Sequence, residues 1–153
     1  RVLAALGPRM LELAAERTAG AHPYNVTPEH TAMAREVMGP EAGLYVEQKV
    51  MLTDDAALAR ETGAKVLRFY SRAPGYRNAW LRMGFSEDDI DGLSDKLVDG
   101  LIAWGDPDTI EARLREHEEA GATHVCVHPL DPVLGQGAVD RSVLAVLAPG
   151  EAS

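Results

Sequence analysis

At 153 residues the chain is long enough for one domain with its own core, and 46% hydrophobic against 25% charged residues is the balance of a globular protein. A formal charge of −9 argues against nucleic acid or an anionic membrane as the main partner, since either would select a basic surface. No stretch reads as a membrane span or signal peptide, and the single Cys126 excludes an intrachain disulfide and agrees with a cytoplasmic location.

Val2 to Leu6 is an apolar run without alternation, the pattern of a strand covered on both faces. It runs into Gly7-Pro8 and a helix from Met10 to Arg17, with Pro8 at the first helical position, where its missing N–H is not needed. The backbone amides from Gly7 to Met10, at the positive end of the helix, form a candidate anion cradle; the commoner use of such a junction is simply to turn a corner. Ala19 to Tyr24 reads as a short strand. Thr27 caps a second helix, with Pro28 first and Glu29 in the first turn, and Gly39-Pro40 stops it after Met38. Leu44 to Leu52 alternates, with Leu44, Val46, Gln48, Val50 and Leu52 on one face and Tyr45, Glu47, Lys49 and Met51 on the other.

From Thr53 to Gly121 the sequence reads almost only as helix. The segments are Asp54 to Ser71, a break at Ala73-Pro74-Gly75, Tyr76 to Met83, a capping box at Ser86 to Asp89, Ser94 to Trp104, and Pro107 to Ala120 behind an Asp106 N-cap. Thr123 to His128 is a fourth strand and Ser142 to Leu147 a last helix. Four strands each followed by helix imply parallel pairing through crossovers. A small open doubly wound sheet and part of a (β/α)8 barrel both satisfy this, and a whole barrel takes about 250 residues.

One set of segments resembles a known family. Ala4-Ala5-Leu6-Gly7-Pro8-Arg9-Met10-Leu11, Gly20-Ala21-His22-Pro23-Tyr24 and Thr27-Pro28-Glu29-His30-Thr31 are similar to the second half of luciferase-like oxidoreductases of the deazaflavin-dependent branch. Tyr76-Arg77-Asn78-Ala79-Trp80, Val98-Asp99-Gly100-Leu101-Ile102-Ala103-Trp104-Gly105-Asp106 and Ala120-Gly121-Ala122-Thr123-His124-Val125-Cys126-Val127 continue the match to about Leu130. The resemblance implies half of a TIM (β/α)8 barrel, strands five to eight, with residues 1–153 as a single partial domain and a helical insertion over about 54–105. It also implies hydride transfer between coenzyme F420, a deazaflavin, or alternatively FMN, and a small organic substrate. Cofactor phosphate contacts are implied at Gly7, Pro8, Arg9 and Met10. Because the first four strands are missing from this sequence, no catalytic acid or base carries over. The chain, which begins at Arg1, is expected to need an amino-terminal half-barrel or a second copy of itself, and to be inactive alone.

In a barrel, Val125 and Val127 suit the helix-covered outside, so His124, Cys126 and His128 share the inward face. That row has zinc-ligand residue types, which would suit a zinc-dependent hydrolase, but no accompanying metal motif, so no metal is assigned. His128 lies at the carboxyl end of its strand, where barrel active sites form. It joins His22, Tyr24, Tyr76 and Arg77 as expected substrate or pocket residues. His30 reads as a solvated first-turn residue, His117 as packed, and Glu47 with Lys49 as an inward ion pair of structural type. A non-catalytic half-barrel, or a flavin-binding subunit acting through association, is the alternative function.

Overall fold

The computed structural model describes residues 1–134 and 139–148. Its elements run α1 (Pro8–Arg17), β1 (Gly20–Ala21), α2 (Pro28–Met38), β2 (Gly43–Leu52), α3 (Ala56–Ser71), α4 (Pro74–Arg82), α5 (Glu87–Gly92), α6 (Asp95–Leu101), β3 (Ile102–Gly105), α7 (Pro107–Glu119), β4 (His124–Pro129) and α8 (Arg141–Leu147). All strand pairs are parallel, so the fold is an α/β fold around one parallel sheet.

Strand β2 is the hub. Gly43 and Leu44 pair with β1, Tyr45 to Val50 with β4, and Lys49 to Leu52 with β3. Three partners on two edges require sharing. Both β3 and β4 pair Lys49 and Val50, so they lie on opposite edges; the Glu47 amide, donating to the Pro23 carbonyl, puts β1 on the β3 edge. Strand β3 thus takes over that edge of β2 where the chain after β1 leaves it.

Capping explains most helix boundaries. Thr27, Asp55, Ser86, Ser94 and Asp106 each accept a backbone amide three residues on, and Ser86 with Asp89 forms the full reciprocal box. Two expectations fail. Val2 to Leu6 is not a strand but a single bridge, Leu3 to Ala21, because β1 gives it a partner only two residues long. The helix expected to run to Trp104 stops at Leu101, and Ile102 to Gly105 becomes β3, since pairing with Lys49–Leu52 satisfies the backbone while Ile102 and Ala103 stay buried.

The larger core lies under the helical segment, where Trp80, Leu67, Ile90, Leu97, Leu101 and Ile102 surround Met51. Trp80 is fully buried and its indole N–H donates to the Asn25 carbonyl at 3.0 Å, tying α4 to the loop after β1. A second core joins α1 and α2 to Leu44 and Val46. No helix among the described residues is long and apolar enough to cross a membrane.

Candidate functional site

The alternation of β2 sorts its side chains onto two faces, and the face away from Leu44 and Val46 carries Glu47 and Lys49. Both are almost fully buried, at 4% and 1% exposure, and Lys49 Nζ donates to Glu47 Oε1 at 2.8 Å. The Asn25 amide donates to Glu47 Oε2 at 3.3 Å, and His128 Nδ1 lies 3.2 Å from Oε1. Burial pushes the Glu47 carboxyl up, but His128, Lys49 and the Asn25 amide together hold it below the usual carboxylate range. Burial pushes the Lys49 ammonium down, against the opposing pull of Glu47.

Tyr24 closes the row. Its hydroxyl lies 2.8 Å from His128 Nδ1, and Lys49 Nζ sits 3.9 Å from the centre of its ring. Burial, then the charge of Glu47, raises the phenol above its ordinary value; Tyr70 and Tyr76 are raised by the same two causes, with the neighbouring Tyr70 adding to the rise at Tyr76. Tyr24, Tyr70, Tyr76 and Trp80 follow one another at ring separations of 5.0 to 6.0 Å, forming an aromatic wall from β1 to α4.

Beside that wall opens a cavity of about 480 Å³, lined by Ala4, Ala5, Leu6, Gly7, Met10, His22, Tyr24, Ala73, Gly75, Tyr76, Asn78 and Arg82. The small side chains before α1 make room, and Gly7 is the N-cap of α1 with no side-chain cap. A β-carbon at Gly7 would stand 3.5 Å from Arg82 Nη2, so a guanidinium lies beside the positive end of the helix. Among the described residues Arg82 has no carboxylate partner within ion-pair distance. An adjoining cavity of about 370 Å³ lies on the other side of Arg82, against Pro8, Glu29, His30, Met33 and Met83.

Gly7, Met10, His22, Tyr24 and Tyr76 therefore line one cavity, and His128 stands one hydrogen bond behind it. Pro8 faces the neighbouring cavity, while Arg9 is exposed and lines neither. The expected amide cradle is narrower than Gly7 to Met10, because the Met10 and Leu11 amides both donate to the Gly7 carbonyl. Arg77 lines none of the cavities described here. Its guanidinium pairs with Glu87 and with Asp91, at 2.6 Å for the latter, clamping α4 to α5, and Arg82, one turn and a residue further on, supplies the cation instead. His30 is not solvated either; it is 3% exposed, with Nε2 2.9 Å from the Leu6 carbonyl, because the α1 junction folds over it. In the β4 row Cys126 pairs in register with Glu47 and His128 with Lys49, whereas His124, at the strand's start, is exposed. Among the described residues no group of three or more His, Cys, Asp or Glu is placed to hold a metal ion. Sequence reasoning missed Arg82, Asn78, Tyr70 and the role of Asn25 in holding Glu47; a φ of +55° at Asn25 is a backbone feature that the sequence does not announce.

The model of the luciferase-like monooxygenase family matches residues 2–124. The chain belongs to this family. Among solved structures it is similar to the coenzyme F420 dependent tetrahydromethanopterin reductase from Methanopyrus kandleri, with a TM-score of 0.61 and 19% identity over 94% of this chain and 46% of that one. It is also similar to an F420-dependent secondary alcohol dehydrogenase in complex with an F420-acetone adduct, with a TM-score of 0.52 and 12% identity over 81% of this chain and 41% of that one. At these identities the likeness shows the fold, that of luciferase-like TIM-barrel enzymes, and the chain spans less than half the length of either neighbour. No curated protein matches the sequence.

Proposed function

We propose that this chain is the carboxyl-terminal part of a luciferase-like (β/α)8 oxidoreductase that transfers a hydride between a deazaflavin, coenzyme F420, and a small organic substrate, with FMN as the alternative cofactor. The observation that carries this reading is one cavity with two unlike ends. One end is a helix N-terminus with a glycine cap and an arginine without a carboxylate partner among the described residues; the other is a wall of tyrosines over a buried ion pair. That donor set fits a flat ring bearing a phosphate-containing tail. Gly7 and Arg82 would hold the anion, and Tyr24 and Tyr76 would line the ring. The cofactor, when bound, supplies the two-electron chemistry; the protein orients it and keeps water out. The neighbours named above are F420-dependent oxidoreductases covered to less than half their length, which supports a role for this chain within a larger barrel. The edges of β4 and of the Leu3 segment would then be completed by an amino-terminal half or by a second copy.

Gly7 has φ −100° and ψ 156°, an extended geometry that any residue adopts, so Gly7→Val changes the cradle without straining the backbone. Titration with F420 and with FMN, followed by fluorescence, should show affinity for one of them falling at least about tenfold in Gly7→Val and in Arg82→Ala. This corresponds to the loss of roughly 1.5 kcal/mol expected for one charge-assisted contact. Unchanged affinity in both variants would remove the cofactor from this cavity.

A further inference from the structure

Strand β3 has two edges and, among the described residues, one partner strand. The Thr53 amide donates to the Gly105 carbonyl and the Gln48 side chain to the Leu101 carbonyl, so the backbone groups of Leu101, Ala103 and Gly105 face β2. By alternation those of Ile102 and Trp104 face the opposite edge. The Ile102 N–H is taken by the Val98 carbonyl, whereas the Trp104 N–H and C=O have no partner among the described residues. A cavity of about 540 Å³ runs along this edge. Ile102, from the core around Met51, and Ala103, from the core with Val50 and Ile110 on the other face, both line it, and only the edge between the two faces brings them to one cavity. The plane of the sheet therefore continues into the cavity, with Trp104 on the Ile102 side and Thr109 and Ala112 of α7 on the Ala103 side. The indole is fixed there. Its N–H donates to Asp99 Oδ1 at 2.8 Å, and the Arg60 guanidinium holds Asp99 at 2.7 and 3.2 Å while lying 5.6 Å from the indole ring centre. The charged groups of the lining are paired, Asp99 with Arg60 and Arg113 with Glu116.

From this geometry we infer that the cavity beside β3 is a second binding site, which takes a neutral planar heterocycle carrying an N–H donor next to a ring-nitrogen acceptor, as an aminopyrimidine does. The Trp104 N–H donates to the ring nitrogen and the Trp104 C=O accepts the ligand's N–H, the pair of bonds that a residue of an antiparallel strand exchanges with its opposite number. The ring lies in the continued plane of the sheet, between the indole and α7. Because the charges around it already neutralise one another, an ionic ligand would be desolvated without compensation, and a neutral one is selected. Flatness is selected too. An added β-strand would project side chains to both sides of the plane, against the indole and against α7, and it would find both backbone groups free at Trp104 but not at Ile102. None of the residues lining this cavity lines the one assigned to the cofactor, so the inference stands apart from the hydride-transfer reading.

The test is an amide NMR titration of the full chain with 2-aminopyrimidine and with its dimethylamino analogue, which lacks the N–H. The aminopyrimidine should give a saturable shift of the Trp104 backbone amide, and the analogue should bind at least about tenfold more weakly, because it leaves the Trp104 carbonyl unpaired. Ala112→Phe, which fills the cavity from α7, should abolish the shift, while Ala112→Ser and Gly7→Val should keep it. Near-UV circular dichroism establishes that the variants are folded. No Trp104 shift with the aminopyrimidine would overturn the inference, as would equal affinity for the two compounds or an undiminished shift in folded Ala112→Phe. A saturable Trp104 shift with the extended peptide acetyl-Val-Thr-Val-Thr-amide, and none with the aminopyrimidine, would overturn it in favour of strand docking. Shifts confined to the residues around Gly7 and Tyr24 would place the heterocycle in the other cavity and overturn it as well.

Discussion

Strand β2 buries a histidine-centred polar network on each of its faces, and the two networks end differently. On the helix side, Thr31 Oγ1 and Gln48 Oε1 each lie 2.8 Å from a ring nitrogen of fully buried His117. The Gln48 amide nitrogen donates to the carbonyls of Lys49 and Leu101, at 2.7 and 3.2 Å, so its oxygen must accept and His117 carries its proton on Nε2. Nδ1 then accepts from the Thr31 hydroxyl. Every proton has one assigned place, and the network ties α2 and α7 to β2 and the end of α6. On the inward face Lys49, Glu47, His128 and Tyr24 form a second chain, which ends at a partly exposed His128 beside Tyr24, a residue that lines a cavity. Burial of polar groups alone therefore does not mark a functional site; a buried network that reaches a cavity does.

The largest effect should come from breaking the inward pair. Lys49→Met leaves Glu47 buried without its cation and should cost about 3 to 5 kcal/mol, read from urea unfolding, because removing one partner strands a charge. The double variant Glu47→Leu with Lys49→Met should recover most of that loss. A single-variant cost below about 1 kcal/mol would show that the pair is not dry.

On the sealed face, His117→Leu should cost about 2 to 3 kcal/mol by leaving Thr31 and Gln48 unpartnered. The pH dependence follows from its titration. Burial, aided by Arg113, pushes His117 from 6.5 down to about 4. The unfolded chain therefore binds a proton that the folded one does not, so this contribution to stability is complete above about pH 6.5 and is lost as pH falls toward about 4. Melting temperature against pH should decline across that window in the wild type more steeply than in His117→Leu. Parallel slopes would mean that His117 is not held neutral.

How much of this was legible in the sequence depends on the range of the interactions. Caps are local, so Thr27-Pro28, Ser86 to Asp89 and Asp106-Pro107 announce their helices, and the alternation of Leu44 to Leu52 announces both faces of β2. Strand β3 was hidden because Leu101-Ile102-Ala103 is a short apolar run whose strand character comes only from partners about fifty residues away. The candidate site divides in the same way. His22, Tyr24, Tyr76 and His128 are visible as polar or aromatic residues at strand ends and in the helical segment, but nothing near Arg77 in sequence says that it faces Glu87 and Asp91 while Arg82 faces Gly7. His30 misleads for the same reason, since the carbonyl that buries it belongs to Leu6.

The smallest stability effect should come from Tyr24→Phe. The change removes a hydroxyl 2.8 Å from His128 Nδ1, but the His128 side chain is 35% exposed, so water replaces the lost partner. The ring remains, and with it the contact to Lys49 Nζ and the neighbouring Tyr70. The expected cost is therefore about 0.5 kcal/mol or less, the low end for a lost hydrogen bond that leaves neither group stranded. Denaturant unfolding of Tyr24→Phe beside His117→Leu measures the contrast directly. A cost for Tyr24→Phe as large as that of His117→Leu would mean that the Tyr24 hydroxyl belongs to the buried framework, as Thr31 and Gln48 do on the other face.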